Sequence, residues 1–177
     1  MRIRYRVGQF WKALFVRPTQ EQMALARRVL SPASWELFLK MQPGEQAHSL
    51  EILEGLLAQG ETDPDLLTAA LLHDVGKIRY PLRVWERALV VIGKALFPEK
   101  VRQLGMAQPV GWKRAFVVAE NHPAWGAEMA AEAGASPAAI EIIRCHQDKP
   151  PAPQSSAGSP SPSENLLYRL QILDDES

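Results

Sequence analysis

Four histidines and one aspartate have the types and spacing of metal ligands. The histidines lie beside or within segments of helical composition: His48, His73, His122 and His146. Asp74 directly follows His73, and neighbouring side chains on a helix point about 100° apart, so both can reach one ion or the aspartate can bridge two. Imidazole and carboxylate suit Fe, Mn, Zn, Ni or Co, and carboxylate with water also suits Mg²⁺. Two such ions would polarise a phosphoryl oxygen and generate hydroxide near neutral pH.

Each histidine taken alone also has a structural explanation. A single histidine on an apolar helix face is more often a satisfied core residue than a ligand. His48 and His146 lie on predicted apolar faces, with Ile52 and Ile142 one turn away. Four core histidines in a chain with no surface histidine would be an uncommon coincidence, so we favour metal ligation.

The elements that must position these residues are predicted to be helices. Ser31-Pro32, Asp63-Pro64 and Ser136-Pro137 each place a capping side chain before a proline at the first helical position. Alternating β patterns with paired turn signals are absent, so the sequence predicts an all-α, compact multi-helix bundle with no β-sheet. The predicted helices are 3–15, 19–30, 32–41, 45–58, 64–75, 82–97, 110–120, 123–133, 137–147 and 163–174.

Two of these helices bear directly on the site. The helix at 64–75 is apolar on all sides, so it should be the centre of the core, and Gly76 fits a left-handed residue that closes it. His122 precedes Pro123, and the residue before a proline is pushed out of helical geometry. We therefore predict a break between two helices at His122, where its side chain can point inward.

The domain organisation follows from composition. The segment 149–162 is rich in Pro and Ser and predicts a flexible loop, after which a leucine-rich helix should dock on the core. We predict a single domain over 1–177, with an N-terminal helical extension at 1–46 and the core at 47–175.

The charge, the cysteine content and the lack of long apolar runs argue against several classes of protein. Twenty basic residues balance twenty acidic ones, so we expect no nucleic-acid partner. The lone cysteine cannot form an internal disulfide, and no run approaches the roughly 18 apolar residues of a membrane span. The basic N-terminus, MRIRYRVGQFWKALF, predicts an amphipathic helix packed on its own domain; contact with a membrane surface or partner is the alternative. We expect a cytoplasmic protein and leave homo-oligomerisation open.

The motifs resemble those of a known family. LLHDVGK at 71–77 is similar to the signature of the HD superfamily of metal-dependent phosphohydrolases, in its six-ligand, HDIG-like form. AHSLEIL at 47–53 resembles its first histidine motif, and NHPAWGAEMA at 121–130 resembles its HP-x-x-G-A-E segment. IIRCHQ at 142–147 resembles its His-His-Glu motif, and YRLQILDD at 168–175 resembles its closing helix. The resemblance implies an HD-domain bundle.

The resemblance also implies roles for individual residues. His48, His73, Asp74 and Asp174 would form the first metal site. Asp74, the central catalytic residue, would bridge to a second ion held by His122 and His146, and Lys77 would act in catalysis by facing the substrate phosphate. Asp175 is the solvated neighbour of the matching aspartate. Lys77 also has a structural explanation, because a lysine just after a helix end is commonly a solvated residue with no role in catalysis.

The chain departs from the family pattern at the second site. Cys145-His146 stands where two adjacent histidines are expected, and Gln147 stands for the glutamate. Cys145 is either a soft ligand or a small buried hydrophobe. The Gly-Tyr-Pro element of the cyclic-di-GMP-degrading branch is absent, which counts against a cyclic dinucleotide substrate. A metal- or nucleotide-binding module with weak catalysis is therefore the alternative; di-iron oxygenation and scaffolding through the basic N-terminus rank lower.

The expected substrate is a small phosphorylated molecule. Lys77, Arg79 and Arg83 are candidates for contacting its phosphate, although surface charge explains the two arginines equally well. Trp85 and Trp112 could wall a pocket and stack on a nucleobase, or could belong to the core. A nucleotide-like substrate is therefore an analogy with the family.

Overall fold

The computed structural model describes residues 16–148 and 162–176. The predicted helix 3–15 and all but the last residue of the predicted loop 149–162 lie outside the described residues. Within the described ranges there are two short 3₁₀ turns, Val75–Arg79 and Gly111–Lys113, and no β-strand. The α-helices of these ranges are α1 Gln20–Val29, α2 Pro32–Phe38, α3 Pro43–Ala58, α4 Pro64–Leu72, α5 Val84–Leu96, α6 Pro98–Gly105, α7 Arg114–Glu132, α8 Pro137–Cys145 and α9 Pro162–Glu176. The predicted all-α bundle is confirmed.

Side-chain caps begin three of these helices where the sequence predicts them. Ser31 accepts a hydrogen bond from a backbone N–H of the first turn of α2. Asp63 accepts two such bonds at α4, and Ser136 accepts one at α8. A proline follows each cap at the first helical position. Because a cap satisfies backbone donors that have no partner in the helix, each contributes about 1 kcal/mol to the free energy of unfolding.

Helix α4 is the centre of the core, as its composition predicts. Five of its apolar side chains have no exposed surface, and Leu67 is 8% exposed. It packs against α1, α2, α3, α8 and α9. Helix α9 docks on the same core, with Leu170 fully buried. This packing fixes both ends of α4, and the C-terminal end carries His73 and Asp74.

The end of α4 differs from its prediction. The helix ends at Leu72 rather than at residue 75, and a 3₁₀ turn, Val75–Arg79, follows. Gly76 is not left-handed; the described glycines with positive φ are Gly60, Gly111 and Gly134. The need for glycine at 76 comes from the close approach of this turn to α7. A Cβ there would lie 2.0 Å from the backbone oxygen of His122.

The predicted break at His122 is wrong. A single helix, α7, spans Arg114–Glu132 with Pro123 inside it. An internal proline removes one backbone hydrogen bond and costs about 3 kcal/mol. The surrounding packing offsets this cost, because the turn Val75–Arg79 and helix α8 cover the face of α7 that carries His122 and Gly126. Burial therefore keeps the helix continuous.

Helix α6, Pro98–Gly105, was not predicted. It begins with a proline at the first helical position, a signal that the sequence does carry. Its eight residues include two large apolar side chains, Val101 and Leu104, which are too few to establish a helical apolar period from the sequence. Among the described residues, no helix is long and apolar enough to cross a membrane.

A buried ion pair joins α5 to α7 and gives the first prediction. Arg114 donates from Nε and Nη2 to the two carboxylate oxygens of Glu86, at 3.0 and 2.7 Å, and Glu86 is 2% exposed. Arg114→Met should therefore lower the free energy of unfolding by about 2 kcal/mol at pH 7 in denaturant titrations. The exposed pair Arg102–Glu99 supplies the control, because Arg102→Met should cost less than about 0.5 kcal/mol.

The same pair should make stability depend on pH. Its hydrogen bonds from Arg114 are the main cause that lowers the pKa of Glu86 in the folded protein. The stabilisation is therefore present above the unfolded pKa, about 4.3, and is lost as pH falls through the folded pKa. The difference between wild type and Arg114→Met should shrink below about pH 4; an unchanged difference there would contradict the assignment.

Candidate metal centre

The four histidines converge from four helices on one buried point. His48 lies on α3, His73 caps the C-terminal end of α4, His122 lies within α7, and His146 caps the end of α8. The ring centroids of His73 and His146 are 5.1 Å apart, and those of His122 and His146 are 5.2 Å apart. His48 lies 5.3 Å from His73 by the same measure. The structure therefore brings all four predicted histidines together.

Backbone carbonyls orient three of these rings. Nδ1 of His73 lies 2.9 Å from the oxygen of Ala70, and Nδ1 of His122 lies 2.9 Å from that of Val118. Nδ1 of His146 lies 2.8 Å from the oxygen of Ile143. A carbonyl only accepts, so each Nδ1 carries the proton and each Nε2 presents a lone pair. This is the tautomer that a metal ligand requires.

Asp74 lies between two groups of candidate ligands. Its Oδ1 is 3.2 Å from Nε2 of His122, and its Oδ2 is 3.7 Å from Nε2 of His73. His48, His73 and Asp74 form one group whose ligand atoms all lie within 4.8 Å of one another; Asp74, His122 and His146 form the other. Sharing one carboxylate is what a bridge between two ions requires.

Asp174 reaches the first group from α9. Its Oδ1 lies 2.8 Å from Nε2 of His48 and 3.6 Å from Nε2 of His73. Gln171 holds the same helix in place, because its side-chain nitrogen donates to the backbone oxygen of His146 at 3.2 Å. All six predicted ligands therefore lie at this one centre.

Two observations on the nitrogen atoms fit a cation. Nε2 of His73 is buried and has no hydrogen-bond partner, an arrangement that is costly for a polar atom unless something else binds it. Nε2 of His122 lies 3.3 Å from Nε2 of His146. With both Nδ1 atoms protonated, two lone pairs face each other, and a positive ion would relieve the repulsion. The donor set suits a divalent transition metal.

Burial and nearby charge keep three of these groups, His122, His146 and Asp74, in ligating forms. Burial lowers the pKa of His122, and burial together with His73 and His122 lowers the pKa of His146 to about 3. Both rings are therefore neutral at pH 7. Burial would raise the pKa of Asp74, but the positive charge of Lys77 outweighs this effect and holds the pKa well below its usual value, so the carboxyl is ionised.

A cavity of about 200 Å³ opens beside the centre. Its described lining is Glu45, Lys77, Leu82, Arg87, Val90, Val91, Lys94, Val118, Ala119, His122 and Gln147. Lys77 donates to Oδ2 of Asp74 at 2.5 Å and thus joins the cavity to the centre. Arg79 lies instead beside Glu128 and over the ring of Trp125, and Arg83 lines a separate surface groove. Of the three predicted phosphate contacts, only Lys77 lines this cavity.

The two candidate tryptophans lie away from the cavity, and two charged residues that the sequence did not indicate line it. Trp85 and Trp112 are 51% and 53% exposed and do not line the cavity. Glu45 and Arg87 do line it, and sequence reasoning missed both. Glu45 precedes His48 by three residues and so shares a helix face with it, which was an available signal. Arg87 had none, because its position depends on how α5 packs.

Cys145 lies outside both ligand groups and gives the second prediction. Its Sγ lies 3.3 Å from a carboxylate oxygen of Glu141, and burial with this hydrogen bond raises the pKa of the thiol to about 12. Only a thiolate ligates metal strongly. Cys145→Ser should therefore leave metal content unchanged in elemental analysis, whereas His146→Ala should lower it. Equal loss in both variants would make the thiol a ligand.

The comparisons with known proteins agree with this geometry. A family model, described as the HD domain, matches residues 46–175, which is most of the chain. Searches of curated proteins and of solved structures found no match. The matched span contains all six residues of the centre and the described lining of the cavity beside it except Glu45. The chain therefore belongs to the HD domain family, the superfamily of metal-dependent phosphohydrolase-type domains.

Proposed function

We propose that the protein is a metal-dependent phosphohydrolase that cleaves an ester or anhydride of a small phosphorylated molecule. The observation that carries this proposal is a pair of ligand groups that share Asp74 and border a cavity containing Lys77. Two adjacent cation sites with a lysine beside them suit a phosphoryl group, whose charge must be neutralised during transfer. We further propose the cytoplasm as the location; a nucleotide-like substrate, the class suggested by the family, is the alternative to a short phosphate ester, which the cavity lining favours. In the same proposal, 1–177 is a single domain.

The proposed ligand set divides into two parts. His48, His73, Asp74 and Asp174 would hold one ion. Asp74 would share a second with His122 and His146, and the ions would be Fe, Mn, Ni, Co or Zn, or Mg²⁺. A divalent ion at this centre supplies Lewis-acid activation of a phosphoryl oxygen and of a water molecule.

The protein's own groups supply orientation and charge. The Nδ1 protons of His73, His122 and His146 are held by backbone oxygens, so the rings keep their direction during a reaction. Lys77, 2.5 Å from Asp74, fixes that carboxylate and can bind a phosphoryl oxygen as a point charge. Asp74 and Lys77 are therefore the proposed catalytic residues. Arg79 and Arg83 would contact only a substrate that extends beyond the cavity.

Cys145 and Gln147 favour a second candidate, a metal- or nucleotide-binding module with weak catalysis. The thiol takes no part in either ligand group, and the amide of Gln147 lies 3.4 Å from Nε2 of His122 where the family pattern has a carboxylate. One charge fewer at the second group would weaken its affinity for an ion. Such a module would bind metal and a phosphorylated ligand and release no phosphate.

The test uses two adjacent aspartates as a matched pair. Metal content and phosphate release from a panel of phosphate esters and nucleotides are measured for wild type, Asp174→Ala and Asp175→Ala. We expect about two metal equivalents and turnover in wild type, and about a 10- to 100-fold loss of metal affinity in Asp174→Ala. Asp175→Ala should behave as wild type. Full metal loading without phosphate release would support the binding module, and no metal in any protein would reject both candidates.

A further inference from the structure

We propose that Arg87 is a specificity-determining residue of the cavity, which selects a short, non-aromatic phosphate ester that carries a second anionic group. This inference rests on the proposed phosphohydrolase function and names the substrate class for that site. The scissile phosphoryl group would lie toward His122 and Lys77. The second group, a phosphate or a carboxylate, would lie toward Arg87 on the α3–α5 side.

The guanidinium of Arg87 is held in one orientation from α3. Its Nη2 donates to Oε1 of Glu45 at 2.7 Å and also to the side-chain oxygen of Gln42. Glu45 is itself fixed, because its Oε2 accepts the backbone N–H of Gln42 at 3.2 Å and the residue is 4% exposed. A charged side chain held this way loses little freedom when it binds a ligand.

Most of the donors of Arg87 are left over by this arrangement. A guanidinium has five N–H groups. Nη2 accounts for the bonds to Glu45 and Gln42, and the three groups on Nε and Nη1 make no hydrogen bond to the described part of the chain. Arg87 lines this cavity as well as the surface groove at Arg83, and on the cavity side these donors would bind a planar or tetrahedral anion.

The charge of the cavity favours an anion at both ends. Lys77, Arg87 and Lys94 line it, and Glu45 is the one carboxylate in the described lining. Lys77 pairs with Asp74, but a cation at the centre would compensate that aspartate. The cavity then presents cationic side chains at both ends, Lys77 beside the centre and Arg87 toward α3.

The wall and the size of the cavity favour a substrate smaller than a nucleoside. The apolar lining consists of aliphatic side chains, Leu82, Val90, Val91 and Val118, and no Phe, Tyr or Trp is in the described lining. Nucleobases are usually held by stacking on such rings. The volume of about 200 Å³ is also below the roughly 300 Å³ at which common small-molecule pockets begin. A body of a few carbons fits better than a nucleoside.

The test compares substrates that differ only in the second anion. 3-Phosphoglycerate and glycerol 3-phosphate share a phosphate monoester on three carbons and differ by a carboxylate. Fructose 1,6-bisphosphate and fructose 6-phosphate differ by a phosphate, and AMP represents nucleotides. With metal-loaded protein, we expect kcat/KM to be about tenfold higher for the compound with the second anionic group in at least one pair. A tenfold difference is about the usual contribution of a charge-assisted hydrogen bond. AMP should be poorer than that compound.

Arg87→Met should bring this ratio close to one, mainly through KM, and Arg87→Lys should retain part of it. Since Arg87→Met leaves Glu45 buried without its partner, the double variant Arg87→Met/Glu45→Gln removes both charges and tests the same ratio in a neutral pair. Arg102→Met, an exposed residue of α6, should keep the wild-type ratio. A ratio near one in wild type, the same ratio in Arg87→Met as in wild type, or AMP as the best substrate would overturn the inference.

Calorimetric binding separates this inference from the proposed function. If no compound releases phosphate, the phosphohydrolase proposal fails. The dissociation constants of 3-phosphoglycerate and glycerol 3-phosphate then still decide the role of Arg87. Tighter binding of 3-phosphoglycerate that disappears in Arg87→Met supports the subsite, and equal binding of the two compounds rejects it.

Discussion

Asp74→Asn is expected to abolish hydrolysis and to remove most of the bound metal. Asp74 is the one residue common to both ligand groups, and the amide that replaces its carboxylate carries no charge. The loss of about 4 kcal/mol of charge stabilisation corresponds to about a thousandfold lower kcat/KM. Elemental analysis and phosphate release measure the two effects on the same preparation.

Asp65→Asn is the matched control for this change. Asp65 lies in the first turn of α4, at the opposite end from Asp74, and its Oδ1 accepts a hydrogen bond from Ser136 that an asparagine can still accept. We expect wild-type metal content and turnover in this variant. Full activity of Asp74→Asn would show that Asp74 is not a ligand of the centre. Equal losses of metal and turnover in both variants would indicate a general effect on α4.

Gly76→Ala is expected to have the largest effect on stability. The added Cβ would lie 2.0 Å from the backbone oxygen of His122 and 2.6 Å from the backbone nitrogen of Gly126. Both atoms belong to the main chain of a buried helix, so no side chain can rotate away. Overpacking of this kind should lower the free energy of unfolding by about 3 kcal/mol or more in denaturant titrations. It should also displace His122 and lower metal content.

Gly60→Ala separates this contact from backbone strain. Gly60 has a φ of +79°, and nothing lies within 4 Å of a Cβ built there. Its replacement should cost about 1 kcal/mol, because only the left-handed conformation disfavours alanine. If the two variants lost equal stability, the approach of the Val75–Arg79 turn to α7 would not be what requires glycine at 76.

Local sequence signals indicate where the helices begin, whereas tertiary packing decides where they end. Ser31, Asp63 and Ser136 act within one turn of sequence, so the caps were readable from the sequence. Pro123 was misread as a break because the packing that keeps α7 continuous comes from residues far along the chain. The sequence does not predict helix α6 because the helix is short and its two large apolar side chains are too few to define an apolar period.

The site shows the same division between local and distant information. The four histidines and Asp74 are distinctive in type and spacing, so they could be proposed from the residues themselves, whereas Asp174 was proposed only from its match to the closing helix of the family. The cavity lining could not, because Arg87 meets Glu45 only through the packing of α5 beside α3. Lys77 lies beside the centre, whereas Arg79 and Arg83, its neighbours in sequence, lie elsewhere.

If Asp174 binds the ion as proposed, its position couples metal binding to the docking of the last helix. Helix α9 docks through the buried Leu170 and through Gln171, and it brings Asp174 to His48. On the proposed ligand set, the ion has its full affinity only when α9 is docked, and the measured dissociation constant is the intrinsic one divided by the docked fraction. By reciprocity, the ion stabilises docking by the same free energy. Metal binding and docking of α9 therefore show positive cooperativity, and the docked fraction of α9 rises with the occupancy of the centre.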